Sequence, residues 1–246
     1  MLFHPSITQY ERTEDFNLQV ARGLIDGHTL VNIQGYNAAQ PTGFRAVWER
    51  SNVADYVYPS AAVAMAFTSS LAETLTMTVF GLDANYAIKT ATVTFNNSTT
   101  GTVTSGTNLF FRINALQITS GAALDTVVAT NNGNTFAQIN PGSGRSQASI
   151  YTVPAGYTFY LTRAQAFTTN NGSQYCTYRV YSQTIANGII TPNVVLNAPF
   201  TQNYSSTRIV PRGYVEKTDI QWQLSQSNPA PGSIQVEGIL IANTIP

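Results

Sequence analysis

Catalysis would have to come from histidine, cysteine, an activated serine or paired carboxylates, and the chain is sparing with all of them. Its two histidines are His4 and His28. A zinc or non-haem iron site built on two histidines needs a carboxylate at matched spacing. Asp26 has a strand-like spacing from His28, yet nothing in the chain completes a ligand set. A hydrogen-bonding role at a surface or interface accounts for both rings more simply. The single cysteine, Cys176, excludes an internal disulfide and a multi-thiolate zinc site. Set in an alternating stretch, it reads as a small buried hydrophobe. Ser-His-Asp chemistry uses a strained nucleophile elbow, but no Gly-x-Ser-x-Gly occurs, and Gly142-Ser143-Gly144 reads as a loop. The carboxylates Asp83, Asp125, Glu216, Asp219 and Glu237 fall at expected turns or wet faces, too scattered to nominate a glycosidase pair. Neither Gly-x-Gly-x-x-Gly nor a lysine-bearing phosphate loop is present. The expectation is a chain that is not an enzyme and takes no cofactor or metal.

Binding residues are the other possibility. Tyr175, Tyr178 and Tyr181 stand close together in one strand-like stretch. Such rings can stack on sugars, as in a carbohydrate-binding sandwich, or serve core and interface packing, since tyrosine is a good strand former. Nucleic-acid binding wants a basic stripe, and 12 Lys plus Arg against 12 Asp plus Glu argue against one.

Of the 246 residues, 43% are hydrophobic, enough for a real core, while only 10% are charged, against the usual quarter. A dispersed protein with zero net charge is prone to associate. Two readings stay open: a secreted protein solubilised by Thr, Ser, Asn and Gln, or a subunit that lives in an assembly. No apolar run approaches the roughly 18–20 residues of a membrane span, and the first residues lack the basic start and apolar stretch of a signal peptide. We therefore expect a protein made in a cytoplasm, with no membrane partner.

The elements that would position these residues are strands. In Thr74–Phe95, Leu75, Met77 and Val79 alternate with threonines, then Ala91, Val93 and Phe95 do the same. Strict period-two alternation is what a half-buried strand needs. Gly-Leu-Asp-Ala-Asn between them supplies the turn of a hairpin. Further strands are expected over Ala61–Phe67, Leu109–Ile113, Leu116–Ile118, Asp125–Thr130, Ser149–Val153, Tyr157–Phe167, Tyr175–Thr184, Phe200–Val210, Asp219–Leu224 and Ser233–Ala242. Turn signals every 8–15 residues place the chain among antiparallel β-sandwiches, jelly-roll-like, in an all-β class. Residues 1–58 differ: they hold clustered charges and little alternation, with a short helical turn that Asp15 could cap. The two strand blocks, about 61–140 and 147–246, could be two sheets of one sandwich or two small domains; the division expected is an extended N-terminal arm over 1–58 and one jelly-roll-like sandwich over 59–246. An exposed-edge sandwich with only Lys89 and Lys217 to blunt its edges is expected to self-associate.

The run Phe16-Asn17-Leu18-Gln19-Val20-Ala21-Arg22-Gly23-Leu24-Ile25-Asp26-Gly27-His28-Thr29-Leu30-Val31-Asn32, with Gly35-Tyr36-Asn37 after it, resembles the N-terminal signature of a virion structural protein of tailed bacteriophages. Gly81-Leu82-Asp83-Ala84-Asn85-Tyr86, Phe111-Arg112-Ile113-Asn114 and Tyr151-Thr152-Val153-Pro154-Ala155-Gly156 follow in the order that family shows. Where family members often carry an acidic-Gly-Gly stretch after the tryptophan, this chain has Trp48-Glu49-Arg50-Ser51. Such proteins are similar to capsid decoration, or cement, proteins. The resemblance implies a virion location on the capsid exterior, a homotrimer, and the major capsid protein as partner.

The apolar residues Phe16, Leu18, Val20, Leu24 and Ile25 are too closely set among charges to form a core unaided. With Arg22, Asp26, His28 and Asn32 they are the residues expected at an intermolecular interface, the arm acting as a clasp on a separately stable β body. The alternative function is a tail- or fibre-associated carbohydrate-binding module, resting on the tyrosine-rich strand.

Overall fold

The computed structural model describes residues 14–169, 175–186 and 189–244, and among these the chain is all-β and antiparallel apart from one short helix. That helix, α1 (Phe16–Ala21), is started by Asp15, whose Oδ1 accepts from the Asn17 N–H at 2.8 Å. Gly23, at φ +70°, ends it. The chain then enters β1 (His28–Gln40) and the brief β2 (Arg45–Ala46).

From there it leaves for a separate unit: β3 (Val63–Ala64), β4 (Ala66–Leu82), β5 (Ile88–Thr100), β6 (Thr102–Ser105), β7 (Leu109–Phe110), β8 (Arg112–Gly121), β9 (Val127–Asn131) and β10 (Asn134–Ile139). It returns through β11 (Ile150–Thr152), β12 (Tyr157–Thr168), β13 (Cys176–Ala186), β14 (Ile189–Phe200), β15 (Asn203–Tyr214), β16 (Thr218–Gln226) and β17 (Ala230–Ala242).

The outer and returning strands build a sandwich. One sheet runs β1-β17-β12-β15; the other has β16, β13 and β14 in that order, with both β2 and β11 laid along β16. β2 faces Gln223 and Leu224 of β16 while β11 faces Asp219–Gln221, so the two short strands are halves of one strand position. Counted that way, the first strand pairs with the last, the second with the seventh, the third with the sixth and the fourth with the fifth. That nested pairing is the order of a jelly roll. Phe159, Tyr178, Trp222 and Val236 are fully buried between the sheets, with Phe159 edge-on to Trp222 at 6.3 Å. Gly238 has no room for a side chain, because a Cβ there would stand 2.4 Å from the Phe159 ring.

The inserted unit has its own core. β4 is the spine, pairing with β9 near its start and with β5 and β8 along the rest. Met77, Val93, Leu116 and Phe67 are buried there against one another and not against the sandwich. The expected hairpin is the β4–β5 pair, with Leu75 opposite Phe95 and Met77 opposite Val93. Asp83 holds its turn by accepting from Asn85 N and Ala87 N.

Two expectations are corrected. Residues 28–58 are not an arm: β1 pairs with β17 from His28–Ile241 to Gln40–Ala230, and Trp48 is buried with Ala46, Tyr56 and Ile150 at the seam between the units. Nor do residues 59–246 make one sandwich, since residues 63–139 close on a core of their own. The physical reason is that β1 contributes an entire edge of a sheet whose central partner lies at the far end of the chain.

Candidate functional site

The residues expected at an interface sit together on α1 and the entry to β1. Val20 is buried against the body, whereas Phe16, Leu18 and Leu24 remain 48%, 51% and 55% exposed. Arg22 forms an exposed ion pair with Glu14. The Asp26 side chain is exposed, and its carbonyl oxygen lies 2.8 Å from His28 Nδ1. The His28 ring meets Phe16 edge-on at 5.9 Å. Asn32 is exposed on β1, and its carbonyl accepts from Arg145 at 3.2 Å. The helix and the turn after it thus present three uncovered apolar side chains beside a small polar group.

The residues weighed for catalysis do not converge. Among the described residues no three of His, Cys, Asp and Glu come together as a metal site; His4 lies outside them. Cys176 is buried, and burial pushes its thiol pKa up to about 12. Asp125 is held below its ordinary pKa by the Ser70 hydroxyl and the Thr126 N–H, and Glu216 accepts from Gly156 N. Asp219 departs from the expected wet face: it is buried. The tyrosines do not form a platform either. Tyr178 points into the core and stacks on Tyr204 at 4.8 Å, while Tyr175 is exposed and Tyr181 lies half-buried on the other face.

Buried charge is concentrated where the two units meet. Arg112 of β8 grips Asp219 of β16 through Nε and Nη2 at 2.9 and 2.8 Å. Thr152 donates to the same carboxylate at 2.6 Å, and Arg112 Nη1 donates to the Pro59 carbonyl at 2.8 Å. The guanidinium stacks over Phe111 at 4.0 Å and Tyr58 at 4.8 Å. Burial works against its charge, but Asp219 outweighs that and its pKa is raised. Nearby in sequence, Glu49 is buried with Oε1 accepting from Gln147 N and Oε2 without a partner. Burial raises its pKa to about 8. Both arrangements join elements that are distant in sequence.

The most exposed apolar feature lies on β15, the edge strand of its sheet. Its register on β12 jumps from Leu161–Arg212 to Arg163–Thr207, so residues 208–211 stand opposite Thr162 alone. Such a bulge bends its strand away from the sheet. Ile209 is fully exposed and Val210 is 80% exposed. β14, the edge of the facing sheet, adds exposed Ile190 and Val194. No family model, curated protein or solved structure matches the chain. Function must therefore be argued from these surfaces. An open strand edge with uncovered aliphatic side chains is suited to pairing with another chain. Sequence inspection missed this bulge, although two aliphatic residues followed by Pro211 interrupt the alternation there.

Proposed function

We propose that this protein is a structural subunit of a virion, a capsid decoration protein that bridges major capsid subunits on the outside of a tailed-bacteriophage head and stabilises it. The bacteriophage assignment rests on the sequence runs quoted above. The observation that carries an assembly role is the aliphatic bulge at Ile209 and Val210, held out from an unpaired sheet edge. Two adjacent large aliphatic side chains held in water at an open strand edge make a template for association. Phe16, Leu18 and Leu24 on and after α1 supply a second uncovered patch. We assign one patch to self-association, as a homotrimer, and the other to the shell. No nucleic acid or membrane enters the proposal.

The test is location. In density maps of purified particles, the jelly roll and its inserted unit should fit features on the head exterior, and the protein should co-purify with heads. Absence from heads, together with binding to a glycan array, would replace this function with carbohydrate recognition.

A further inference from the structure

A cavity of about 270 Å³ lies in the cleft between the two units, walled by β1 and Leu240 on the sandwich side and by β4, β5 and β8 on the insert side. Ligand pockets occur preferentially at such junctions, lined by apolar side chains with a few polar groups that fix orientation. Leu30, Phe80 and Ile88 line this one while remaining partly exposed to solvent. Its lining holds Arg145 and Lys89 and no carboxylate. Lys89 is already committed: its ammonium donates to Thr107 Oγ1 and the Leu109 carbonyl, both at 2.6 Å. Arg145 is not. Its Nη2 makes a 3.2 Å bond to the Asn32 carbonyl, its Nε is buried without a partner, and no carboxylate pairs with it among the described residues. Burial without a counter-charge lowers its pKa.

We propose that this cleft binds a small amphipathic carboxylate, a medium-chain fatty acid in kind, with its tail among Leu30, Phe80 and Ile88 and its carboxylate on Arg145. A guanidinium is the side chain best shaped to hold a carboxylate through two parallel bonds. One free cation selects a monoanion over a dianion. The apolar walls require a hydrocarbon body, and the volume keeps that body short.

Calorimetric titration of the full chain with octanoate and with octan-1-ol tests the site. Octanoate should bind saturably at one site. R145Q should weaken octanoate about tenfold, the loss of a charge-assisted hydrogen bond, and leave octan-1-ol unchanged, while R145K, which keeps the charge but loses the two parallel bonds, should fall between R145Q and the wild type. A115W, which fills the cleft and leaves Arg145 in place, should abolish both and decides the site independently should R145Q fail to fold. Absence of saturable octanoate binding, equal binding by R145Q, or binding untouched by A115W overturns the proposal.

Discussion

Glu49 shows how a single buried carboxyl ties stability to pH. The Gln147 N–H donates to Oε1 while Oε2 is left bare, and among the described residues no cation forms an ion pair with Glu49. The folded chain therefore keeps the proton up to about pH 8, whereas an unfolded chain releases it near the ordinary 4.5. Between those values the unfolded state binds fewer protons, so stability falls as pH rises, and the loss is complete above the folded value. A shift of that size corresponds to on the order of 5 kcal/mol. E49Q removes the titration. Its melting temperature should exceed that of the wild type at pH 8.5 and converge with it at pH 5, as followed by circular dichroism. Parallel pH profiles for the two proteins would show that Glu49 is not the group responsible. The sequence singles out Trp48-Glu49-Arg50-Ser51 only as a departure from the family pattern and does not reveal that Glu49 is buried, because its partner lies about a hundred positions away, at Gln147.

At the scale of elements, legibility followed the chemistry of the buried positions. β4 and β5 were plain in the sequence because their inward residues are Leu75, Met77, Val79, Ala91, Val93 and Phe95. β1 alternates in burial over Ile33, Gly35 and Asn37 before a register shift to Gln40, but most of these inward positions are not hydrophobic, so hydrophobicity does not reveal it. Gly35 is required by contact, since a Cβ would stand 2.3 Å from the Val47 carbonyl oxygen. Asn37 and Gln40 are tolerated inside because Asn37 donates to the Trp48 carbonyl and Gln40 accepts from Ser51. β14 was hidden by Pro192 and Pro199, which suit an edge strand. The expected interface residues on α1 were found in the sequence as a cluster, while the Ile209 bulge was not, because a bulge is defined by its partner strand.

Two predictions belong to these elements. The Arg112–Asp219 pair clamps β8 of the insert to β16 of the sandwich. R112A should cost about 3–5 kcal/mol in urea denaturation, since it leaves a buried carboxylate without its cation. Replacing both partners by leucine should cost less than either single change, and a double variant worse than the sum would contradict this account. On β15, I209D combined with V210D should shift stability by no more than about 0.5 kcal/mol, because both side chains are already in water. If this edge carries self-association, the wild type should sediment as an oligomer and the same variant as a monomer. Unchanged sedimentation would remove this edge from the assembly.

For the molecule as a whole, the decisive feature is that the chain's beginning is built into its end. β1 lies along β17 over nearly its whole length, and β2 and β11 share one strand position although the entire insert separates them. Contacts of that sequence separation leave no local trace, which is why the two strand blocks are readable from sequence and their assignment to separate cores is not. The topology also divides the first residues into two parts with opposite roles. Deleting residues 1–27 removes α1 and with it the burial of Val20, a loss of about 1.5–3 kcal/mol. The sheets keep all their strands. That truncation should stay folded, with a lowered but cooperative thermal transition, and should fail to join particles if Phe16, Leu18 and Leu24 are the clasp. Deleting residues 1–50 takes away β1, β2 and Trp48. It strips one sheet of its edge and the seam of its largest side chain, so this chain should lose its cooperative transition altogether. If the shorter deletion still assembles, the clasp lies elsewhere and the β14–β15 edge carries the contacts. If the longer one folds normally, the β1–β17 pairing is dispensable, and residues 28–58 belong to the arm after all.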